Sequence, residues 1–131
     1  MSKNRPIKPL LLFVVVLIVI TYGSLGSSED VSKVNVLNFP NSDKVIHGLM
    51  YFVLTGSLIY LLKHHFSTFT HWKIYLLVVA SPILYGVLME VLQYMLTPDR
   101  QAELLDFAAN VAGTLTAFVM ALGYYKLKDA T

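Results

Sequence analysis

Three pairs of polar residues interrupt an otherwise apolar chain. The pairs are Asp43 with His47, Glu90 with Gln93, and Asp106 with Asn110. Their members are three or four residues apart, so about 40 to 60 degrees separate them around a helix axis. Carboxylates beside an imidazole or an amide can exchange protons with a substrate or bind a polar group through charge-assisted hydrogen bonds. Each helix that carries a pair would therefore present a polar stripe with this chemistry.

A predicted ligand-binding set unites these pairs with one arginine from a short connection. Its members are Asp43, His47, Glu90, Gln93, Arg100, Asp106 and Asn110. Among them His47 is the candidate proton shuttle, and Glu90 or Asp106 is the candidate general base. Arg100 is the candidate clamp for an anion. A carboxylate at mid-membrane costs about 2.5 to 3.5 kcal/mol, which argues against an accidental position for these groups.

A metal centre is not predicted, although one alternative within an enzyme would hold a divalent ion between Asp43, His47, Glu90 and Asp106. No compact motif of metal ligands, such as HExxH, occurs in the sequence. The chain has no cysteine, which excludes a disulfide, a thiolate metal site and a cysteine nucleophile. The sequence does not identify a cofactor.

Some of these residues also have a structural interpretation. Asp43 is expected to be the N-cap of its helix. Asp106 is expected in the first turn of another helix, where the helix dipole favours an anion. Glu90 lies toward the C-terminal end of its segment, where an anion is disfavoured, so we expect it to need a partner such as Arg100 or His47.

The elements that must position these residues are long apolar segments. Hydrophobic residues make up 56% of the 131 positions, and only 10 basic and 8 acidic residues are present. Charged residues make up about a quarter of an ordinary soluble domain, so this composition is typical of a membrane protein. Four segments approach or exceed the roughly 20 residues that cross a bilayer as a helix. They are residues 7–26, 45–62, 72–96 and 104–125.

The length of these segments favours helices, because membrane strands need only about 10 residues and alternate polar with apolar side chains. We therefore predict an all-α polytopic membrane protein. Its single domain would cover residues 1–131 as an antiparallel up-and-down bundle of four transmembrane helices.

The distribution of Lys and Arg predicts the orientation. Seven of the ten lie in the N-terminal tail, the loop after the second segment and the C-terminal tail, and three lie in the other two connections. Basic residues collect on the cytoplasmic side, so both termini are predicted to be cytoplasmic, in the bacterial inner membrane. The three polar pairs then meet near the outer surface. Alternatively, the first segment is a secretory signal cleaved near Gly26, which also places the following residues outside.

A larger ordered pattern runs from Asp43 to Gly113. It comprises Asp43, Lys44, His47, Tyr51, Gly86, Glu90, Gln93, Arg100, Asp106, Asn110 and Gly113. This pattern resembles that of the VanZ-like family of small multi-pass bacterial membrane proteins. The resemblance implies a place in the cell envelope and an association with low-level resistance to the glycopeptide antibiotic teicoplanin, and it supplies no mechanism.

Four classes of function fit these residues. We predict the first, a membrane protein whose outward-facing site binds a lipid headgroup or a cell-wall precursor. The second is an intramembrane enzyme that acts on such a substrate, and in the third the polar residues only hold the helices together. The fourth, a proton-coupled carrier, is disfavoured because four short helices leave little room for alternating access. The expected partners are the bilayer and such an envelope ligand, and not nucleic acid, because the formal charge is only +2.

Overall fold

A computed structural model describes residues 7–26, 39–66, 72–97 and 103–129 of the chain. The regular structure within these ranges consists of four α-helices. They are α1 (Ile7–Leu25), α2 (Ser42–His65), α3 (Trp72–Leu96) and α4 (Leu104–Asp129). Each is long and apolar enough to span a bilayer. The predicted all-α bundle of four membrane-spanning helices is confirmed.

Large apolar side chains cover the outside of this bundle. More than three-fifths of the side-chain surface is exposed at positions on α1, α3 and α4, for example at Leu11, Ile18, Leu84 and Val119. In water, an apolar surface of this extent would drive association or aggregation. In a bilayer it faces lipid at no such cost, which identifies the chain as an integral membrane protein.

Helix α2 begins earlier than predicted and with a different cap. The predicted segment was 45–62, because hydropathy detects only the apolar part of a helix, whereas the polar residues from Ser42 onward are helical too. The N-cap is Asn41, with φ of 62°, a left-handed conformation that asparagine tolerates. The prediction that Asp43 caps this helix is therefore wrong. Asp43 lies in the first turn, where its charge complements the helix dipole.

The most extensive helix contact joins α2 to α4, two helices that run in the same direction. The sequence spacing of Gly113, Ala117 and Ala121 predicts a close helix contact, and the structure confirms it at Gly113. A Cβ atom there would lie 2.0 Å from the carbonyl oxygen of Gly48. Small residues allow such backbone contact, which drives helix association in lipid.

Polar contacts mark both ends of the α2–α4 pair. At one end, Nζ of Lys44 lies 3.0 Å from Asp106, and at the other, Nζ of Lys63 lies 2.9 Å from the ring centroid of Tyr125. Both helices advance by 19 residues between these contacts, which corresponds to about 28 Å. The hydrocarbon core of a bilayer is about 30 Å thick, so the two contacts lie near opposite membrane surfaces.

Candidate functional site

Lys44 is the centre of an ionic network between the first turn of α2 and the start of α4. Its Nζ lies 2.5 Å from Asp43, 2.6 Å from Glu103 and 3.0 Å from Asp106. Its ammonium donates hydrogen bonds to Asp43 and Glu103, and its contact with Asp106 is an ion pair. Asp106 is buried, whereas Glu103 is about half exposed. We call these four residues the ionic network, and its three carboxylates outnumber its one ammonium.

His47 is buried directly beside the ionic network. Its Nδ1 donates to Oδ1 of Asn110 at 3.1 Å, since an amide oxygen only accepts. Its Nε2 lies 3.8 Å from Oδ2 of Asp106. Both ring nitrogens therefore face protein groups. His47 thus connects α2 to α4, and its role as a proton shuttle stays a prediction.

Glu90 reaches the same end of the bundle from α3, and only 9% of its surface is exposed. Together with Glu103 it lines a groove of about 270 Å³ between α3 and α4. The other lining side chains are apolar and comprise Val87, Val91, Leu104 and Phe107. Most of them are exposed on the outside of the bundle, so the groove opens toward lipid. The surface that faces the groove is almost entirely apolar, with the buried Glu90 and the half-exposed Glu103 at its border.

Gly86 holds α3 against α2 and α4 one turn before Glu90. A Cβ atom at Gly86 would lie 3.2 Å from Cε1 of Tyr51 and 3.4 Å from Nδ2 of Asn110. A larger side chain would push α3 away from its neighbours. Gly86 therefore sets the distance between the helix that carries Glu90 and the buried amide of Asn110.

Gln93 makes its contact elsewhere. Its Nε2 donates to the backbone carbonyl oxygen of Ser24 at 3.1 Å, which joins α3 to the end of α1. Only 2% of its surface is exposed. This hydrogen bond holds two helices together, and the ligand-binding role of Gln93 stays a prediction.

Arg100 lies outside the described residues, so its contact with Glu90 or Asp106 also stays a prediction. Within the described ranges, Lys44 is the cation beside Asp106. Lys44 and Glu103 were not among the predicted site residues. Their spacing held a signal, because Lys44 precedes His47 by three residues and Glu103 precedes Asp106 by three, about one helical turn in each case.

The carboxylates of the ionic network could in principle hold a cation. Asp43, Glu103 and Asp106 each offer an oxygen, and these atoms lie within 4.8 Å of one another. This set differs from the metal alternative drawn from the sequence, because Glu103 stands in place of His47 and Glu90. Nζ of Lys44 lies 2.5 to 3.0 Å from all three carboxylates, so an ammonium already occupies the position that a divalent ion would take.

Comparisons of the chain with protein-family models, curated proteins and solved structures found no match. They assign the chain to no family.

Proposed function

We propose that the protein binds the polar headgroup of an envelope amphiphile, either a membrane lipid or a lipid-linked cell-wall precursor. The observation that carries this proposal is the groove between α3 and α4, an apolar lipid-facing surface bordered by the half-exposed Glu103 and the buried Glu90. An amphiphile has the two matching parts. Its headgroup would bond to the carboxylates, and its hydrocarbon would lie along the apolar walls.

The ionic network fixes the position of Glu103 on the groove wall. Lys44 donates a hydrogen bond to Glu103, which lines the groove, and forms an ion pair with the buried Asp106. Asp106 in turn lies beside His47, which is bonded to Asn110. Glu103 is therefore held in place before a ligand arrives, which lowers the entropy cost of binding.

A purely structural role accounts for part of the cluster. The buried contacts of Asp106, His47 and Asn110 would lock α2 to α4 without any ligand, as polar side chains commonly do between membrane helices. Glu90 fits this role less well, since it stands toward the C-terminal end of α3, where the helix dipole disfavours an anion. A headgroup that bonds to Glu90 would favour its burial there.

The orientation and the cellular context complete the proposal. With both termini in the cytoplasm of a bacterium, the groove opens to the outer leaflet of the inner membrane. The resemblance to VanZ-like proteins favours a ligand connected with the cell wall. In that case, loss of the groove would alter susceptibility to teicoplanin.

The test is to fill the groove with a large side chain. Val91, on the groove wall, is 49% exposed, and Leu77, on the same helix, is 48% exposed. Leu77 lies 14 residues away, about 21 Å along the axis, so Leu77→Trp is a matched control for Val91→Trp. Each variant would be purified in lipid nanodiscs, and the bound lipid measured by native mass spectrometry.

We expect Val91→Trp to retain about tenfold less lipid than wild type, and Leu77→Trp to retain as much as wild type. Equal retention in all three would contradict the proposal. Glu90→Gln separates the remaining classes of function. A variant that disappears from the membrane indicates a structural role, and a changed lipid or precursor profile at normal abundance indicates an enzyme.

A further inference from the structure

We infer that the headgroup of the bound membrane lipid carries a cationic amine. This inference rests on the proposed function and names the chemical class of its ligand. It follows from the charge at this end of the bundle, from the contacts of Lys44, and from the position of Glu103 between the ionic network and the groove.

Carboxylates outnumber cations around the groove. The ionic network and the groove together contain Asp43, Glu90, Glu103 and Asp106, and Lys44 is the basic residue of that set. An amphiphile whose headgroup is negatively charged would meet like charge at this position. Like-charge contact in a partly desolvated site disfavours such a ligand strongly.

The undescribed connections do not remove this excess. By sequence, residues 27–44 and 90–106 contain seven acidic and three basic residues, Arg100 included, which leaves a formal charge of −4. The remaining charged residues, seven basic and one acidic, carry +6. The formal charge of the sequence is therefore divided unevenly, and the negative share belongs to the segments that carry the ionic network and the groove. A net negative charge in these segments favours a cationic headgroup.

Lys44 shows that these carboxylates suit an ammonium group. Oxygens from two helices surround its Nζ at 2.5 to 3.0 Å. Glu103 belongs both to this arrangement and to the groove wall, and Glu90 lies across the groove on α3. A carboxylate has two oxygens and accepts several hydrogen bonds. An amine in the groove would thus contact a carboxylate, as Lys44 does in the neighbouring ionic network.

The size of the groove agrees with a compact charged group. Its volume of about 270 Å³ is below the ~300–1,000 Å³ of pockets for drug-sized molecules. Val87 and Val91, one turn apart on α3, continue the apolar wall along the direction that a hydrocarbon chain would follow.

The experiment compares three probe lipids that share dioleoyl chains. They are a lipid with a primary ammonium headgroup, its N-acetylated form, and phosphatidylglycerol. Each is titrated into nanodiscs of dioleoylphosphatidylcholine that contain the full chain, and binding is measured by native mass spectrometry. We expect the ammonium lipid to bind at least about tenfold more tightly than either of the others, because a charge-assisted hydrogen bond contributes about 1.5 to 3 kcal/mol.

Two carboxylate variants test the residues. Glu90→Gln and Glu103→Gln should each reduce the preference for the ammonium lipid by about tenfold. Glu103 is about half exposed, so its variant tests the inference even where the buried Glu90→Gln fails to fold. Preference unchanged in a folded Glu103→Gln variant would overturn the inference.

The outcomes also separate this inference from the function on which it rests. Equal binding of all three probes, abolished by Val91→Trp, would leave the amphiphile site intact and overturn only the amine. Binding that is indifferent to Val91→Trp would overturn both.

Discussion

A Cβ atom on Gly113 of α4 would lie 2.0 Å from the carbonyl oxygen of Gly48 on α2, and 3.0 Å from the backbone nitrogen of Phe52. The two backbones therefore touch at this point, and no flexible side chain is available to move aside. On α4, Gly113 lies about one turn after Asn110, and on α2, Gly48 directly follows His47. The contact is therefore next to the hydrogen bond between His47 and Asn110. It fixes the separation of the helices that carry the ionic network.

Gly113→Ala is expected to destabilise the protein by about 1 to 3 kcal/mol, because the added methyl group must push two backbones apart. Gly123 on the same helix has no atom within 4 Å of its Cβ position, so Gly123→Ala is the control and should change stability little. The measurement is the free energy of unfolding in mixed micelles. Equal effects of the two substitutions would show that the α2–α4 contact is looser than described.

Lys44→Met is expected to turn the ionic network into a cation site. Without the ammonium, the carboxylates of Asp43, Glu103 and Asp106 remain within 4.8 Å of one another and repel. Ca²⁺ or Mg²⁺ should then stabilise the variant by about 2.7 kcal/mol at a hundred times the dissociation constant, which raises its thermal midpoint. Lys63→Met, which removes the lysine beside Tyr125 at the other end, is the control. Unchanged midpoints of Lys44→Met with either ion would refute the prediction.

Gln93→Leu is expected to weaken the attachment of α1, because the variant loses the donor to the carbonyl oxygen of Ser24. Hydrogen bonds between membrane helices contribute about 0.6 to 2 kcal/mol, which is the loss of unfolding free energy we expect. Ser81→Ala serves as the comparison, since that hydroxyl bonds within its own helix to Leu77. Normal stability of Gln93→Leu with reduced lipid retention would instead return Gln93 to the ligand-binding set.

The predicted orientation is testable with introduced thiols. Cysteines at Ser28 and Thr97 should react with a membrane-impermeant reagent added to intact cells, and those at Thr68 and Thr131 should react only after permeabilisation. The reverse pattern would place the groove in the inner leaflet and exclude a ligand from the outer one. All four positions are polar in the wild type, so the substitutions should disturb the spans little.

The four spans could be predicted because a bilayer leaves few choices. Backbone groups in hydrocarbon must bond within their own segment, so a long apolar run becomes a helix whatever its neighbours are. The boundaries were less accurate. Ser42, Asp43 and Lys44 continue α2 beyond its apolar part, because helix geometry does not stop where hydropathy falls.

The site was predicted in part. Helical spacing placed Asp43 with His47, and Asp106 with Asn110, on shared faces, and the structure brings these two stripes together. Helical spacing could not show that Lys44 bonds to Glu103, because the two residues are 59 positions apart. Their side chains meet only when α2 and α4 have a fixed register.

The sequence by itself determined the number of spans, their apolar character and the polar stripes upon them, because these depend on residues within one helix. Only the tertiary structure decided that the parallel helices α2 and α4 form the tightest pair, and that Glu90 and Glu103 share a groove while Gln93 bonds to α1. The physical reason is that lipid is as apolar as the helices. Hydrophobicity therefore does not choose partners, and close packing at Gly48 and Gly113 does.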